Sequence, residues 1–114
     1  MEFDKISYEY INVDEALARI GGNMGLYKKL LIRFIEGNHI ETLENALASG
    51  DMEESARLVH TLKGVSANLS LNAIMTVSIS LEQAIKQGLD FSAHLKELKQ
   101  VYSDTSEKIL EIAK

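Results

Sequence analysis

The sequence predicts an all-α fold: an up-and-down antiparallel four-helix bundle with an additional short N-terminal helix. Three observations predict it. No proline occurs in the chain, so nothing interrupts a long helix interior. Apolar residues recur at steps of three and four, and strict alternation is rare. The connections between the later helices are only a few residues long, which makes neighbours antiparallel.

Each element has its own signals. Asn12 and Glu15 have the spacing of a capping box, so a first helix is expected over Val13 to Ile20, stopped by Gly21-Gly22. Residues 1–11 read as a loosely held arm. A second helix is expected from Asn23 to Ala48, with Leu26, Leu30, Phe34, Ile40, Leu43 and Leu47 as its apolar positions. Gly37 lies inside it. A glycine there costs about 1 kcal/mol relative to alanine. The expectation is one long helix, bent or weakened at that point, and ended by Ser49-Gly50-Asp51.

Asp51 and Glu54 repeat the capping spacing and open a third helix that runs to about Asn68. A fourth begins at Ser70 or Asn72 and runs to Gln87, with Gly88 as its stop and Ile74, Val77, Leu81, Ala84 and Ile85 facing inward. The fifth follows Asp90. Phe91, Leu95, Leu98, Tyr102, Thr105, Ile109 and Ile112 form a near-heptad seam along it, as in helices packed side by side. No internal repeat, low-complexity tract or domain boundary is visible, and one domain over residues 1–114 is expected.

Composition narrows the function classes. The absence of cysteine excludes disulfides, thiol catalysis and cysteine-based zinc sites. Twelve basic against 17 acidic residues give a net charge of −5, which disfavours nucleic acid and anionic membrane as partners. No apolar run approaches the roughly 20 residues of a membrane span, so no membrane insertion is expected. The opening residues, MEFDKISYEY, are mixed and acidic and do not read as a signal peptide. A cytoplasmic location is expected. No G-x-x-x-x-G-K-[ST] stretch exists to bind a nucleotide.

Chemistry concentrates in the stretch RLVHTLKGVSANLS, Arg57 to Ser70. On a helical wheel with His60 at zero, Leu58, Leu62, Val65 and Leu69 fall at roughly 140–200°, the far side. Lys63, Gly64, Ala67 and Ala56 fall within about 60° of His60, and Arg57 lies one turn before it. An imidazole in water is mostly neutral at pH 7 and can act as a nucleophile. Lys63, at i+3, can reach a group attached to that ring, and its compact charge suits phosphate. Gly64, at i+4, removes a side chain beside the ring and lets another surface approach. The trio points to phosphoryl transfer through histidine. His39 and His94 have Leu43 and Leu98 at i+4, which gives no metal pair, and ordinary surface or boundary roles are expected for both. Glu41, Glu44, Glu53 and Glu54 read as a solvated face. Tyr27 and Phe34 read as packing residues.

HTLKGVSANLS, His60 to Ser70, resembles the signature of histidine-containing phosphotransfer (HPt) domains, roughly H-x-L-K-G-x-[SA]-x-x-L-G. His60, Leu62, Lys63, Gly64, Ser66 and Leu69 match it, and Ser70 stands at the last glycine. NVDEALARIGGNMGLYKKLLIRF resembles the family's first helix and the start of its second. LASGDMEESARLVHTLKG resembles its run into the active helix. The resemblance extends from Asn12 onward, with the last helix matching in pattern alone. Met24 and Gly25 stand where the family often has acidic residues.

The resemblance implies a phosphorelay shuttle in two-component signalling. His60 takes a phosphoryl group on Nε2 from a receiver-domain aspartyl phosphate and passes it to another receiver's aspartate. Lys63 offsets phosphate charge. Gly64 and Ala67, with Ala56 and Arg57, leave a docking surface. The family binds no ATP and does not phosphorylate itself; it needs no cofactor of its own, and magnesium belongs to the receiver. A monomer is implied, while the near-heptad last helix keeps a dimer open. Two alternatives share parts of the pattern. The phosphotransfer domain of a chemotaxis-type histidine kinase has the same H-x-x-K-G core, and a helical-bundle interaction module would leave His60 unused. At Ser70 the expected helix exits are a left-handed Asn68 or a Ser70 that caps the next helix.

Overall fold

A computed structural model describes residues 10–113, which form six α-helices. They are α1 (Val13–Arg19), α2 (Met24–Ile35), α3 (His39–Ala48), α4 (Met52–Asn68), α5 (Asn72–Lys86) and α6 (Ser92–Ile112). The described residues are all helix and connecting turns, gathered into a bundle of 41 × 22 × 21 Å. The main packing runs α3 on α4, α4 on α5 and α5 on α6, with α2 against α6. Of the expected arm, residues 1–9 lie outside the described residues. Ile11 is fully buried, so the chain is held in the core before α1 begins.

Capping residues set the starts. The side chains of Asn12, Asn23 and Asp51 each accept a backbone N–H three residues on, at 3.0 Å, at the heads of α1, α2 and α4. Asp90 Oδ1 accepts from Ser92 N at 3.0 Å and leads into α6. Gly88, at φ 69, ends α5 where a side chain would meet the left-handed penalty.

The long second helix is not continuous. It breaks at Gly37-Asn38 into α2 and α3, with Asn38 at φ 52 in the left-handed region. Asparagine tolerates that conformation better than other L-residues, and glycine before it weakens the helix further. The break is sealed from the side. His39 stacks on Phe34 with ring centroids 4.8 Å apart, and Tyr102 of α6 sits 5.5 Å from Phe34 and donates to its carbonyl at 3.4 Å. Burial pushes the His39 imidazole below its ordinary range, against a raising contribution from the Phe34 carbonyl. The inward face of α2 also differs by one position. Tyr27 and Leu31 are fully buried, while Leu26 is 41% exposed.

The wheel of α4 is likewise rotated. Its buried residues are Ser55, Val59, Leu62 and Ser66, with Leu58 and Val65 half-buried. Two serines on this stripe replace bulk with small side chains, and α5 packs on it more extensively than any other pair of helices packs. Each hydroxyl is satisfied within α4: Ser55 donates to Asp51 O at 2.7 Å and Ser66 to Lys63 O at 3.0 Å.

Neither expected exit from α4 is the one used. Ser70 itself takes the left-handed position, at φ 55. Ser70 N donates to Ala67 O at 3.2 Å and Leu71 N to Ser66 O at 2.8 Å, the paired bonds of a Schellman motif. The hydroxyl is fully buried and donates to Glu15 Oε1 at 2.7 Å. Arg19 Nη1 of α1 donates to Ser70 Oγ and to the carbonyls of Ala67 and Asn68 at 2.9–3.0 Å. Tyr27 Oη closes the inner side, donating to Leu69 O at 2.7 Å. Carbonyls left over at the helix end thus all find donors, and α1 fixes where α4 stops.

Ser70→Ala is expected to lose about 1 kcal/mol of stability with the hydroxyl's hydrogen bonds. Ser70→Gly loses the same bonds but relieves roughly 1 kcal/mol of left-handed strain, and is expected to match the parent. Urea unfolding of the three chains checks this. Equal stability of the alanine and glycine variants would remove the strain argument.

Candidate functional site

His60 lies midway along α4 with its side chain 65% exposed. The ring is held on one side. Its Nδ1 is 3.0 Å from Oε2 of Glu82, on the facing helix α5. Glu82 is 5% exposed although it carries a carboxylate. Lys63 Nζ donates to its Oε1 at 3.0 Å, and Lys86 Nζ lies 3.0 Å from Oε2. A buried carboxylate must have such partners to be tolerated. Burial pushes the Glu82 carboxyl up, but the hydrogen bonds from Lys86, Lys63 and His60 and the Lys63 charge outweigh it, leaving it below the usual carboxylate range. The clamp is therefore intact above the unfolded carboxylate range and is lost as pH falls through the depressed folded value.

An ionised carboxylate only accepts, so the hydrogen-bond network assigns the ring proton to Nδ1. The Nε2 lone pair then points away from Glu82. Fixing one nitrogen as donor fixes the other as the basic, nucleophilic one.

The other sequence-predicted residues surround this ring in different ways. Gly64 is exposed, and a Cβ built on it would meet nothing within 4 Å. Among the described residues no neighbouring helix requires a glycine there. Ala56 and Ala67 are half-buried. Arg57 is exposed and paired along its own helix with Glu54, so its charge is partly matched. Beside the ring, a surface depression of about 540 Å³ between α4 and α5 has Met52, Ala56 and Ile85 as apolar lining and Arg57, His60 and Lys86 at its edge.

Glu82 and Lys86 are absent from the sequence-level site. A signal for Glu82 exists: it falls within the inward stripe of α5, between the buried Leu81 and Ala84–Ile85 and one turn after the buried Ser78. A carboxylate on an apolar stripe demands cationic partners. Which cations answer it depends on how α4 and α5 are set against each other.

The remaining predicted positions lie elsewhere. Tyr27 and Phe34 are core residues. His39 belongs to the α2–α3 break and His94 is half-buried in the first turn of α6. Glu44 pairs with Lys99 at 3.0 Å, and Glu41 and Glu53 are exposed. Among the described residues no group of three or more His, Asp or Glu side chains is placed to hold a metal ion. No helix among them is long and apolar enough to cross a membrane.

Against known protein families, residues 36–111 match the Hpt domain. The chain belongs to the Hpt domain family. The match takes in α3, α4, α5 and nearly all of α6, and so both His60 and the carboxylate that holds it. Membership makes histidine phosphotransfer in phosphorelays, with receiver domains as interaction partners, the activity of this Hpt domain. No curated protein and no solved structure matched the chain.

Proposed function

We infer that the chain is a receiver-to-receiver shuttle whose phosphorylated residue is His60. The observation that carries this is the hold of Glu82 on Nδ1, which leaves Nε2 of an exposed ring facing solvent. In the forward step the Nε2 lone pair attacks phosphorus, and the P–O bond to the donor's aspartyl carboxylate breaks. The carboxylate leaves as an anion. The Nδ1 proton stays in its hydrogen bond to Glu82, whose negative charge faces the ring as positive charge develops on it. Delivery to the next receiver is the reverse of this step. Catalysis is then chiefly positioning and charge compensation.

Lys63 is the first charge partner of the phosphoryl group. It is one turn along α4 from His60 and is already held at the site by Glu82. Gly64, Ala67 and Ala56 supply clearance, and Arg57 edges the docking surface. The domain supplies no cofactor, and magnesium stays with the receiver. The bundle is read as an up-and-down antiparallel four-helix arrangement, in which α2 and α3 together make one corner, α4, α5 and α6 the others, and α1 lies across the end at Ser70. One domain over residues 1–114, a monomeric state and a cytoplasmic location complete the reading.

Incubation with a phosphorylated receiver and mapping of the acid-labile, base-stable phosphate tests it directly. Phosphate on His39 or His94 would reassign the site. A second expected result concerns Gly64. Gly64→Ala should raise stability by about 1 kcal/mol, since helix propensity improves and the new Cβ meets open space. Gly64→Leu should slow transfer at least tenfold because the clearance faces the partner. A leucine variant that transfers at the parent rate would end the clearance argument.

A further inference from the structure

The joint between α2 and α3 lacks a side-chain cap. Asn38 heads α3 in the left-handed region, and its side chain caps no backbone N–H. The His39 ring closes the joint instead. It folds back over Gly37, where an added Cβ would lie 2.8 Å from His39 Nε2. It stacks on Phe34 at 4.8 Å and lies 6.4 Å from Tyr102. A ring N–H donates to the Phe34 carbonyl, which also accepts from Gly37 N at 3.2 Å and Tyr102 Oη at 3.4 Å. One histidine thus ties together the end of α2, the head of α3 and the flank of α6. It bears on α4 as well: His39 and Thr42 line a cavity of about 170 Å³ with Arg57 and Thr61 of the helix that carries His60.

Imidazole is the side chain that ordinarily changes charge between pH 5 and 8. This position accommodates the neutral ring better than the charged one. The ring is half-buried, and burial holds its titration below the ordinary range despite the Phe34 carbonyl. The charges that share its surroundings are Arg33 of α2, Arg57 of α4 and Lys99 of α6, with Glu41 of α3 itself. Arg57 is paired with Glu54 and Lys99 with Glu44. The Tyr102 phenol, pushed up by burial, stays neutral. Among the described residues no carboxylate is ion-paired with the ring to hold it as a cation. Its contribution to the closed joint is therefore present above the ordinary imidazole value of 6.5 and is lost as pH falls from there toward the lowered folded value.

We propose that His39 is a proton-operated latch on the α2–α3 joint: the neutral ring holds the joint closed, and the protonated ring leaves the Phe34–Tyr102 stack and loosens α3 from α4. This holds whether or not His60 carries phosphate.

Amide hydrogen exchange of the full chain tests it. Protection is measured by NMR at about pH 7.5 and about pH 5, on either side of the ordinary imidazole value, and corrected for the intrinsic exchange rate. The amides of Thr42 and Leu43 report on α3, and those of the buried Val77 and Leu81 on α5 serve as the internal reference. In the parent, α3 protection relative to α5 should fall roughly three- to tenfold at the lower pH. His39→Phe keeps the stack and His39→Gln keeps a donor for the Phe34 carbonyl, and neither titrates; in both, the ratio should be the same at the two pH values. His94→Gln, at the half-buried histidine in the first turn of α6, should behave as the parent. A parent whose α3 keeps its protection at the lower pH overturns the proposal. So does a His39→Phe chain that loses protection as the parent does, or a His94→Gln chain that no longer does. If circular dichroism shows that His39→Phe does not fold, His39→Gln decides by the same criterion.

Discussion

His60→Gln is expected to abolish phosphate uptake from a phosphorylated receiver while leaving the fold in place. The His60 side chain is largely exposed, and it hydrogen-bonds from Nδ1 to Glu82. A glutamine amide can donate to the same carboxylate, so no buried charge is left unmatched. Surface changes of this kind shift stability by no more than about 0.5 kcal/mol. The amide nitrogen of glutamine is not a nucleophile, so the loss of uptake should be complete within detection. Phosphate counting on intact protein, beside a urea unfolding curve, separates the two effects. Retained acid-labile phosphate in the variant would mean that another residue carries the group. Unfolding would mean that His60 has a structural role that its exposure does not indicate.

Glu82→Ala is expected to have the next largest effect. The ring loses the acceptor that fixes its tautomer, and Lys63 and Lys86 lose the group that gathers them beside it. Partners that orient a metal-bound imidazole are typically worth roughly 10- to 100-fold, and a loss in that range is expected here in the rate of phosphate uptake. Stability should fall only modestly, because both lysines are partly exposed and can return their charges to water. Two readouts distinguish positioning from general damage. In the parent, ¹⁵N shifts of the ring should report the proton on Nδ1; in the variant they should report a mixture of tautomers. Glu82→Gln keeps an acceptor for Nδ1 and should recover part of the rate. An alanine variant with the parent's rate would show that Glu82 serves folding alone.

Much of the site was legible because it lies on one helix. His60, Lys63 and Gly64 are separated by three and four residues, and helical geometry places them together without any knowledge of the rest of the fold. The starts of α1 and α4 were legible for the same reason, since Asn12 with Glu15 and Asp51 with Glu54 are local cap signals answered by local hydrogen bonds. The break at Gly37-Asn38 was visible as a weakness. Its depth was not, because a helix with one glycine and a helix that ends there differ by little in local propensity. Phe34, His39 and Tyr102, brought together across the bundle, decide between them.

Ser70 shows the same division at a helix end. The departure from glycine was plain in the sequence, and two local ways out of α4 were expected. The chain uses a third. A serine tolerates the left-handed conformation there because Glu15 and Arg19, more than 50 positions earlier, hold its hydroxyl and the carbonyls before it.

By itself, then, the sequence determined the helical segments, most of their boundaries, the candidate nucleophile and its neighbours one turn away. These follow from periodicity and short-range geometry, which act within a few residues. Only the tertiary structure decided that Glu82 and Lys86 join the site, which nitrogen of His60 is free, and how α4 ends. Those depend on contacts between residues 19 to 55 positions apart, such as Lys63 and His60 with Glu82 and Glu15 with Ser70. Such contacts exist only once packing has set one helix against another.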